Sequence, residues 1–198
     1  MTRYEAFIEA EWRTAGMAQV VVARIRAGDR VEIGFFLVDS WCLGVKDAFL
    51  VEESSESELR EIVDQKIPEF ARERLHPACA KKIIEGVVAY AESLGFAPHR
   101  DFRKARRVLT GVDSSDCPES FVFGCDGKPC YIEGPHDPPE RVERVLAMLE
   151  ARCGADGFNY VLVADVADED DDVNEAEGAD DADDARDALI MFFEDEPE

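Results

Sequence analysis

The sequence lacks several features that would assign it to a known class of protein. It has no run of 18 or more apolar residues, so no segment is long enough to span a bilayer as a helix. Its N-terminus, MTRYEAFIEAEWRTAG, has neither the apolar stretch nor the small-residue cleavage site of a signal peptide. No Gly-rich loop ends in GK[ST], and no two of the six cysteines form a C-x-x-C pair. We therefore predict a cytoplasmic protein with reduced cysteines, no membrane association, no metal and no cofactor.

Basic residues are scarce, and they are nearly absent from the C-terminal part of the chain. The formal net charge is −23, from 45 acidic and 22 basic residues. Residues 165–198 contain 17 of the acidic residues and one of the basic residues. A segment with so few apolar residues and so much charge of one sign is typical of disorder. We predict a single domain over residues 1–164 and a largely disordered acidic tail over 165–198. The tail carries an apolar end at 188–193 (ALIMFF), typical of a docking peptide or a terminal strand.

The pattern of apolar residues within 1–164 predicts an α+β fold. Strands are expected at 18–26, 31–38 and 48–51, forming an antiparallel meander, and a second hairpin at 121–134 around Asp126-Gly127. Helices are expected at 2–16, 55–70, 77–94, 101–109 and 137–153, followed by a last strand at 158–164. Because strands and helices are segregated along the chain, the meander and the hairpin should pack against several helices.

A turn at residues 39–47 (DSWCLGVKD) holds a thiol, an amine and two carboxylates. Cys42, His99 and an acid occur in the order used by some cysteine hydrolases, which need a thiolate beside an imidazole and a third group that orients the ring. Asp47 is the acid in our catalytic hypothesis, and Asp39 and Asp101 are the other candidates. The alternative interpretation is that Cys42 is a small buried apolar residue.

A zinc site is the other chemistry that the cysteines suggest. Cys117, Cys125, Cys130 and His136 follow one another as C-x7-C-x4-C-x5-H. This spacing fits zinc modules poorly, and thiols at hairpin positions also serve as strand-filling residues. We therefore predict no metal ligands among them.

A concentration of positive charge marks the predicted helix at 101–109. Arg100, Arg103, Lys104 and Arg107 stand at i, i+3, i+4 and i+7, which places them on one helical face. The pattern predicts a binding site for an anionic partner, which would be an acidic peptide, a phosphate or nucleic acid. The alternative is a solvated helix face that pairs with carboxylates of the same fold.

Three segments resemble an uncharacterised family of bacterial hypothetical proteins. They are Gly34–Phe49 (GFFLVDSWCLGVKDAF), Val88–Val108 (VAYAESLGFAPHRDFRKARRV) and Phe121–Pro135 (FVFGCDGKPCYIEGP). The signatures of that family are LVD–CLG–KD and YAE–LGF–PH–DF, and the resemblance covers most of residues 18–150. It implies one compact bacterial domain, and it implies no activity and no functional residues.

We favour a non-enzymatic cytosolic binding or regulatory protein whose cationic helix, residues 100–107, is masked by its own acidic tail. The competing hypothesis is a cysteine-dependent hydrolase or transferase that uses Cys42 with His99 and Asp47. The two differ in what they require of Cys42, because only the second needs an accessible thiolate.

Overall fold

An antiparallel sheet of five strands forms the centre of the structure, a computed structural model that describes residues 2–162. These residues belong to one compact unit, Met1–Val163. The predictions for the tail at 165–198 and its apolar end at 188–193 concern residues outside the described part. The strands of the sheet are β1 (Arg3–Glu9), β2 (Met17–Arg26), β3 (Arg30–Asp39), β4 (Gly44–Ser54) and β5 (Arg72–Leu75), and their order is β4-β3-β2-β1-β5.

Five α-helices and a small second sheet complete the described part of the chain. The helices are α1 (Trp12–Ala15), α2 (Glu56–Lys66), α3 (Pro77–Leu94), α4 (Phe102–Ala105) and α5 (Pro139–Cys153), with 3-10 turns at Glu69–Ala71, Arg106–Leu109 and Ser114–Asp116. The second sheet pairs β6 (Cys130–Ile132) with β7 (Asn159–Val161) in parallel. This architecture confirms the α+β class. None of the helices in residues 2–162 is long and apolar enough to cross a membrane.

The predicted meander is present, and it is longer than expected. Strands β2, β3 and β4 pair antiparallel in sequence order, with Val21 opposite Phe35 and Phe35 opposite Phe49. The turn between β3 and β4 contains only four residues, because β4 already begins at Gly44. The predicted helix at 2–16 was wrong for most of its length. Residues 3–9 form β1, which lies between β2 and β5, and only Trp12–Ala15 is helical.

Both faces of the sheet are covered, because β2 and β3 are apolar on both sides. Val20, Val22 and Phe36 face α3 and the segment at 102–109, and they form one core cluster with these elements. Val21 and Phe35 point the other way, into a second cluster that includes α2. The sheet is therefore the middle layer of three, as expected when a strand alternates between two apolar faces.

Helices α2 and α3 begin where they were predicted, and α3 also ends as predicted, whereas α2 ends at Lys66 and does not reach residue 70. Ser55 caps α2 through a capping box. Its hydroxyl accepts a hydrogen bond from the backbone N–H of Glu58, and its own backbone N–H donates to the Glu58 carboxylate. Pro77 occupies the first turn of α3, and Gly95 ends the helix in the left-handed conformation. Helix α5 begins at Pro139 with Pro138 as N-cap, so it starts two residues after the predicted start at 137.

The second hairpin differs from its prediction. A tight turn is present at Asp126-Gly127, closed by an isolated antiparallel bridge between Cys125 and Lys128. Beyond this bridge the two arms do not pair with each other. The second arm, β6, pairs instead with β7, which follows α5 in the sequence. Local turn chemistry was therefore readable from the sequence, and the distant partner was not.

The prediction of six reduced cysteines is wrong for one pair. Cys79 in α3 and Cys117, 38 residues later, form a disulfide, and both are buried. Their spacing in the sequence did not indicate a disulfide. The two cysteines meet because the loop that follows residue 109 returns to α3. Two lysines of α3 hold the same loop, since Lys81 donates to the Val112 carbonyl and Lys82 to the carbonyls of Cys117 and Glu119. The remaining four cysteines are free.

We expect the Phe36→Ala substitution to destabilise the domain by about 3–5 kcal/mol, the usual cost of emptying a core aromatic position. Phe36 is fully buried and meets Phe102 edge-on at 6.2 Å. The matched control is Phe49→Ala on the neighbouring strand, where 38% of the residue is exposed. Urea unfolding should show a clearly smaller loss for the control, and equal losses would contradict the assignment of the core.

Removal of the disulfide should lower the free energy of unfolding by roughly 2–4 kcal/mol, as for loops of comparable length. The measurement compares the wild type and a Cys79→Ala/Cys117→Ala variant in urea, each with and without reductant. Reductant should affect only the wild type. If reductant leaves the wild-type midpoint unchanged, the bond does not stabilise the fold.

Candidate functional site

The turn between β3 and β4 is held by one partly buried carboxylate. Asp39 Oδ1 accepts from the backbone N–H groups of Trp41 and Cys42, each at 2.9 Å. Burial raises the pKa of Asp39, and these backbone bonds together with the charge of Lys46 act against the rise. An acidic side chain that bonds the backbone two and three residues on is a common way to close a turn. Asp39 therefore has a structural role in this geometry.

The same turn packs tightly on the start of β2. Ser40 donates twice to the carbonyl of Gly16, from its backbone N–H at 2.7 Å and from its hydroxyl at 3.0 Å. Gly16 has φ of 76°, and a Cβ atom placed there would lie 2.1 Å from the ring of Trp41. Only glycine allows this close approach. The turn at 40–43 is thus fixed by its contacts with Gly16, the residue before β2. This packing limits access to the Cys42 thiol.

Cys42, the proposed nucleophile, is completely buried. Its neighbours are apolar side chains from three elements, among them Leu94, Tyr131 and Leu149. Burial raises the pKa of the Cys42 thiol well above its ordinary value, and the charge of Asp39 raises it further. Within residues 2–162, no hydrogen bond joins the Cys42 thiol to His99. The thiol is therefore protonated at neutral pH, whereas nucleophilic catalysis requires a thiolate.

His99 and Asp47 are brought together at the outer edge of β4. The backbone N–H of His99 donates to the Val45 carbonyl at 2.9 Å, which anchors the residue beside the strand. His99 Nδ1 lies 3.5 Å from Asp47 Oδ1 and 4.0 Å from Asp101 Oδ2. Two of the three proposed catalytic residues are therefore neighbours, and the third, Cys42, lies in a separate apolar cluster.

The zinc hypothesis loses one of its ligands to the disulfide. Cys117 is bonded to Cys79, and a disulfide sulfur does not bind zinc as a thiolate. Among residues 2–162, no group of three or more His, Cys, Asp and Glu side chains is arranged to hold a metal ion. The charged segment at 100–107 therefore takes first place among the candidate sites.

The cationic segment is only partly an α-helix. Helix α4 makes a single turn at residues 102–105, and a 3-10 turn continues it through residues 106–109. Arg100 precedes the helix, so the predicted four-residue stripe is not one continuous helical face. All five basic side chains are exposed, and we call them together the cationic surface: Arg100, Arg103, Lys104, Arg106 and Arg107.

A buried apolar side anchors the cationic surface to the sheet. Phe102, Ala105, Val108 and Leu109 all belong to the core cluster shared with β2, β3 and α3. Val108 reaches the sheet over Gly34, where an added Cβ atom would lie 2.6 Å from the valine side chain. Because the segment is fastened along its whole inner side, the cations project from a fixed backbone.

Two carboxylates offset part of this positive charge. Glu52 of β4 lies 3.8 Å from Lys104 and 3.4 Å from Arg107, and Asp101 lies 3.9 Å from the guanidinium of Arg100. Such exposed pairs contribute little to stability. Arg106 is placed over the Phe102 ring at 5.7 Å. In the described part of the chain, neither Arg103 nor Arg106 has a carboxylate within 4.0 Å, so the surface keeps an excess of positive charge.

Comparison with models of protein families, with curated proteins and with solved structures finds no match for this chain. The resemblance to the bacterial family therefore stays a prediction. The function has to be argued from the geometry of the described residues.

The sequence pattern did not identify every member of this site. Arg106 falls outside the i, i+3, i+4, i+7 series, and it stands four residues after Phe102, a spacing at which helical side chains meet. Glu52 lies about 50 residues upstream of the segment, so its pairing depends on where the segment crosses the sheet. The basic run itself was the available signal, and it was sufficient to find the surface.

We expect Cys42 to react with iodoacetamide far more slowly in the folded protein than in urea, because its thiol is buried and its raised pKa keeps it protonated. Cys125, which is partly exposed at the tight turn, is the internal control and should react in the folded state. Peptide mapping by mass spectrometry separates the two sites. Equal rates for Cys42 and Cys125 in the native protein would restore the cysteine hydrolase or transferase hypothesis.

Proposed function

We propose that the protein is a non-enzymatic cytosolic binding or regulatory protein whose cationic surface takes an anionic partner. The supporting observation is the set of five exposed cations on a segment fixed to the core, where Glu52 and Asp101 are the carboxylates of residues 2–162 that lie within 4.0 Å of them. A protein of net charge −23 that keeps this cluster has a local field opposite in sign to its overall field. Such a cluster attracts anions at close range even when the whole molecule repels them.

The rigidity of the segment supports binding over simple solvation. A cation on a mobile loop loses conformational entropy when it is ordered by a ligand, and that cost weakens binding. Here Phe102 and Ala105 alternate with the cations and are buried, so most of the backbone ordering is already present. Arg106 is held further by the ring beneath it. The partner therefore meets a surface that is arranged before binding.

We further propose that the acidic tail competes with the partner for the cationic surface. Residues 165–198 carry 17 acidic residues and one basic residue on the same chain. A flexible tether commonly gives an effective concentration around the millimolar range. A weak ionic interaction is then enough to reduce binding of an external anion, and a stronger partner would displace the tail. This argument uses only charge and covalent connection.

One observation supports the cytosolic location in this proposal, and another opposes it. Four of the six cysteines are free, as is usual for proteins of a reducing compartment. The Cys79–Cys117 bond is unusual there, because glutathione and thioredoxin keep most cytosolic thiols reduced. The state of this pair in protein taken directly from cells therefore tests the compartment.

Charge reversal of the cationic surface is the direct test of the proposed function. The full-length protein carrying Arg103→Glu, Lys104→Glu and Arg107→Glu is compared with the wild type for binding of a labelled single-stranded oligonucleotide, used as a generic polyanion. We expect weaker binding at low salt, and the slope of log affinity against log salt should fall by about two when three cations are removed. Fluorescence anisotropy at several salt concentrations gives both values.

A matched variant separates local charge from net charge. Arg60→Glu, Arg144→Glu and Arg152→Glu change three exposed arginines elsewhere and alter the net charge by the same amount. This control should keep most of the binding, whereas an equal loss in both variants would refute a localised site. Neutralising the acidic residues of 168–172 and 180–184 to Asn or Gln in the full chain should strengthen binding. That gain should disappear in the charge-reversed protein if the tail competes for this surface.

A further inference from the structure

Strand β4 presents an open backbone edge beside the cationic surface. Within residues 2–162 it is the outermost strand of the sheet, and β3 is its one partner there. At its start, the outer side is occupied, since Val45 accepts from His99 and the Asp47 carboxylate accepts from the Ala48 N–H at 2.7 Å. On the outer side of residues 49–53, facing away from β3, no backbone hydrogen bond from another described element reaches the strand.

The direction of these unused groups follows from the ladder. The Ala48 N–H is bonded to a side chain of its own strand, so it points away from β3. Paired and unpaired positions alternate along an antiparallel strand, and therefore the N–H and carbonyl of Leu50 also point outward. Phe49, opposite Phe35, has its backbone groups turned inward to β3. The open edge thus offers outward hydrogen bonds at alternate residues as far as Val51, as an added strand requires, and the register with β3 shifts between Val51 and Ser54.

The two sides of this edge differ in chemistry. On the side of α4, Glu52 is flanked by Lys104 and Arg107. On the opposite side lie Val51 and Phe49, whose ring stacks on Phe35 at 4.2 Å and is 38% exposed. In an extended chain laid along β4, successive side chains would point to opposite faces of the sheet. Every second side chain would face the cations, and the side chains between them would face the apolar surface.

We propose that the β4 edge binds an extended acidic peptide as a sixth strand, with acidic side chains facing Lys104 and Arg107 and apolar side chains covering Phe49 and Val51. This inference rests on the proposed function and names the class of its partner. The open stretch of five residues, 49–53, has the length of a strand of about 16 Å at 3.3 Å per residue, with an irregularity after Val51 where the register with β3 shifts. The ligand therefore alternates acidic and apolar residues over about five positions.

Charge complementarity selects this occupant over the two obvious alternatives. A second copy of the chain, paired through β4, would bring its own cationic surface against this one, which like-charge repulsion opposes. Single-stranded nucleic acid binds to aromatic platforms next to cations. On the cationic side the nearby ring, Phe102, is buried, and the exposed ring, Phe49, lies on the other face. An acidic peptide uses both the edge and the charges.

The experiment compares two synthetic peptides of identical composition and charge with the full-length protein. One alternates Glu and Val over eight residues, and the other places four Glu before four Val, with both ends blocked and a fluorescent label. The alternating peptide should bind at least about tenfold more tightly, a difference of about 1.4 kcal/mol. Equal affinity would refute the strand model while leaving the proposed function intact. Failure of both peptides to bind would refute the peptide proposal, and the proposed function would fail as well only if the oligonucleotide also did not bind.

Two further measurements decide whether the backbone takes part. Methylation of alternate backbone nitrogens of the alternating peptide, on the set that would pair with β4, should remove the tenfold gain, whereas methylation of the other set should preserve it. Amide hydrogen exchange at Leu50 should slow in the complex, with the Phe49 amide as internal control because it already bonds to β3. An unchanged rate at Leu50 in a saturated complex would exclude β4 as the binding edge.

The contribution of the cations is tested on the protein. Lys104→Glu with Arg107→Glu should weaken binding of the alternating peptide, and Arg60→Glu with Arg144→Glu should have little effect. If the oligonucleotide binds more tightly than the alternating peptide at the same salt concentration and depends on the same cations, the partner is nucleic acid and the peptide proposal fails.

Discussion

The burial of β2 and β3 on both faces is the constraint on which the rest of the structure depends. Val20 and Val22 alternate with Val21 and Ala23, so each face of the sheet exposes apolar surface unless another layer covers it. Helix α2 covers one face, and α3 with the segment at 102–109 covers the other. Each fully buried aliphatic side chain contributes about 1.5–3 kcal/mol relative to its exposed state. The cationic surface has a fixed position because the inner side of its segment belongs to this layer.

The chemistry of the β3–β4 turn is an example of reactive residue types serving the fold. Asp39 closes the turn, and Cys42 fills an apolar space beside Leu94 and Tyr131. Asp47 occupies the outward N–H of Ala48, which protects the first part of an open edge from uncontrolled pairing. A thiol and two carboxylates close together in sequence thus have separate structural roles, and only geometry distinguishes these from catalysis.

Sequence reasoning succeeded where the determining interactions are local. The capping box of Ser55 and Glu58, the Pro77 start of α3 and the alternation of Val31–Val38 were all readable within a few residues. It failed where a distant partner decides. Residues 3–9 carry a helix-compatible pattern, yet pairing with β2 and β5 makes them a strand. The Cys79–Cys117 bond and the parallel pairing of β6 with β7 likewise depend on returns of the chain that no local pattern shows.

In the candidate site too, the local feature was predicted from the sequence and the feature that depends on distant residues was not. The basic run at 100–107 is visible in the sequence, whereas the open edge of β4 is visible only once the strand order is known. Arg106, with its contact to Phe102, lies outside the series of basic residues that the sequence pattern singled out. The basic run is therefore the basis of the proposal that the partner is anionic, and the sheet topology is the basis of the proposal that it adds a strand.

Residue-resolved NMR of the isotopically labelled full chain, titrated with an acidic peptide, tests the central claim most directly. Backbone resonances should shift at two contiguous places, residues 48–53 of β4 and residues 100–107, because both line one binding surface. The resonances of Cys42 and its apolar neighbours should stay in place. Shifts that avoid both segments, or that spread evenly over all exposed basic residues, would contradict the account.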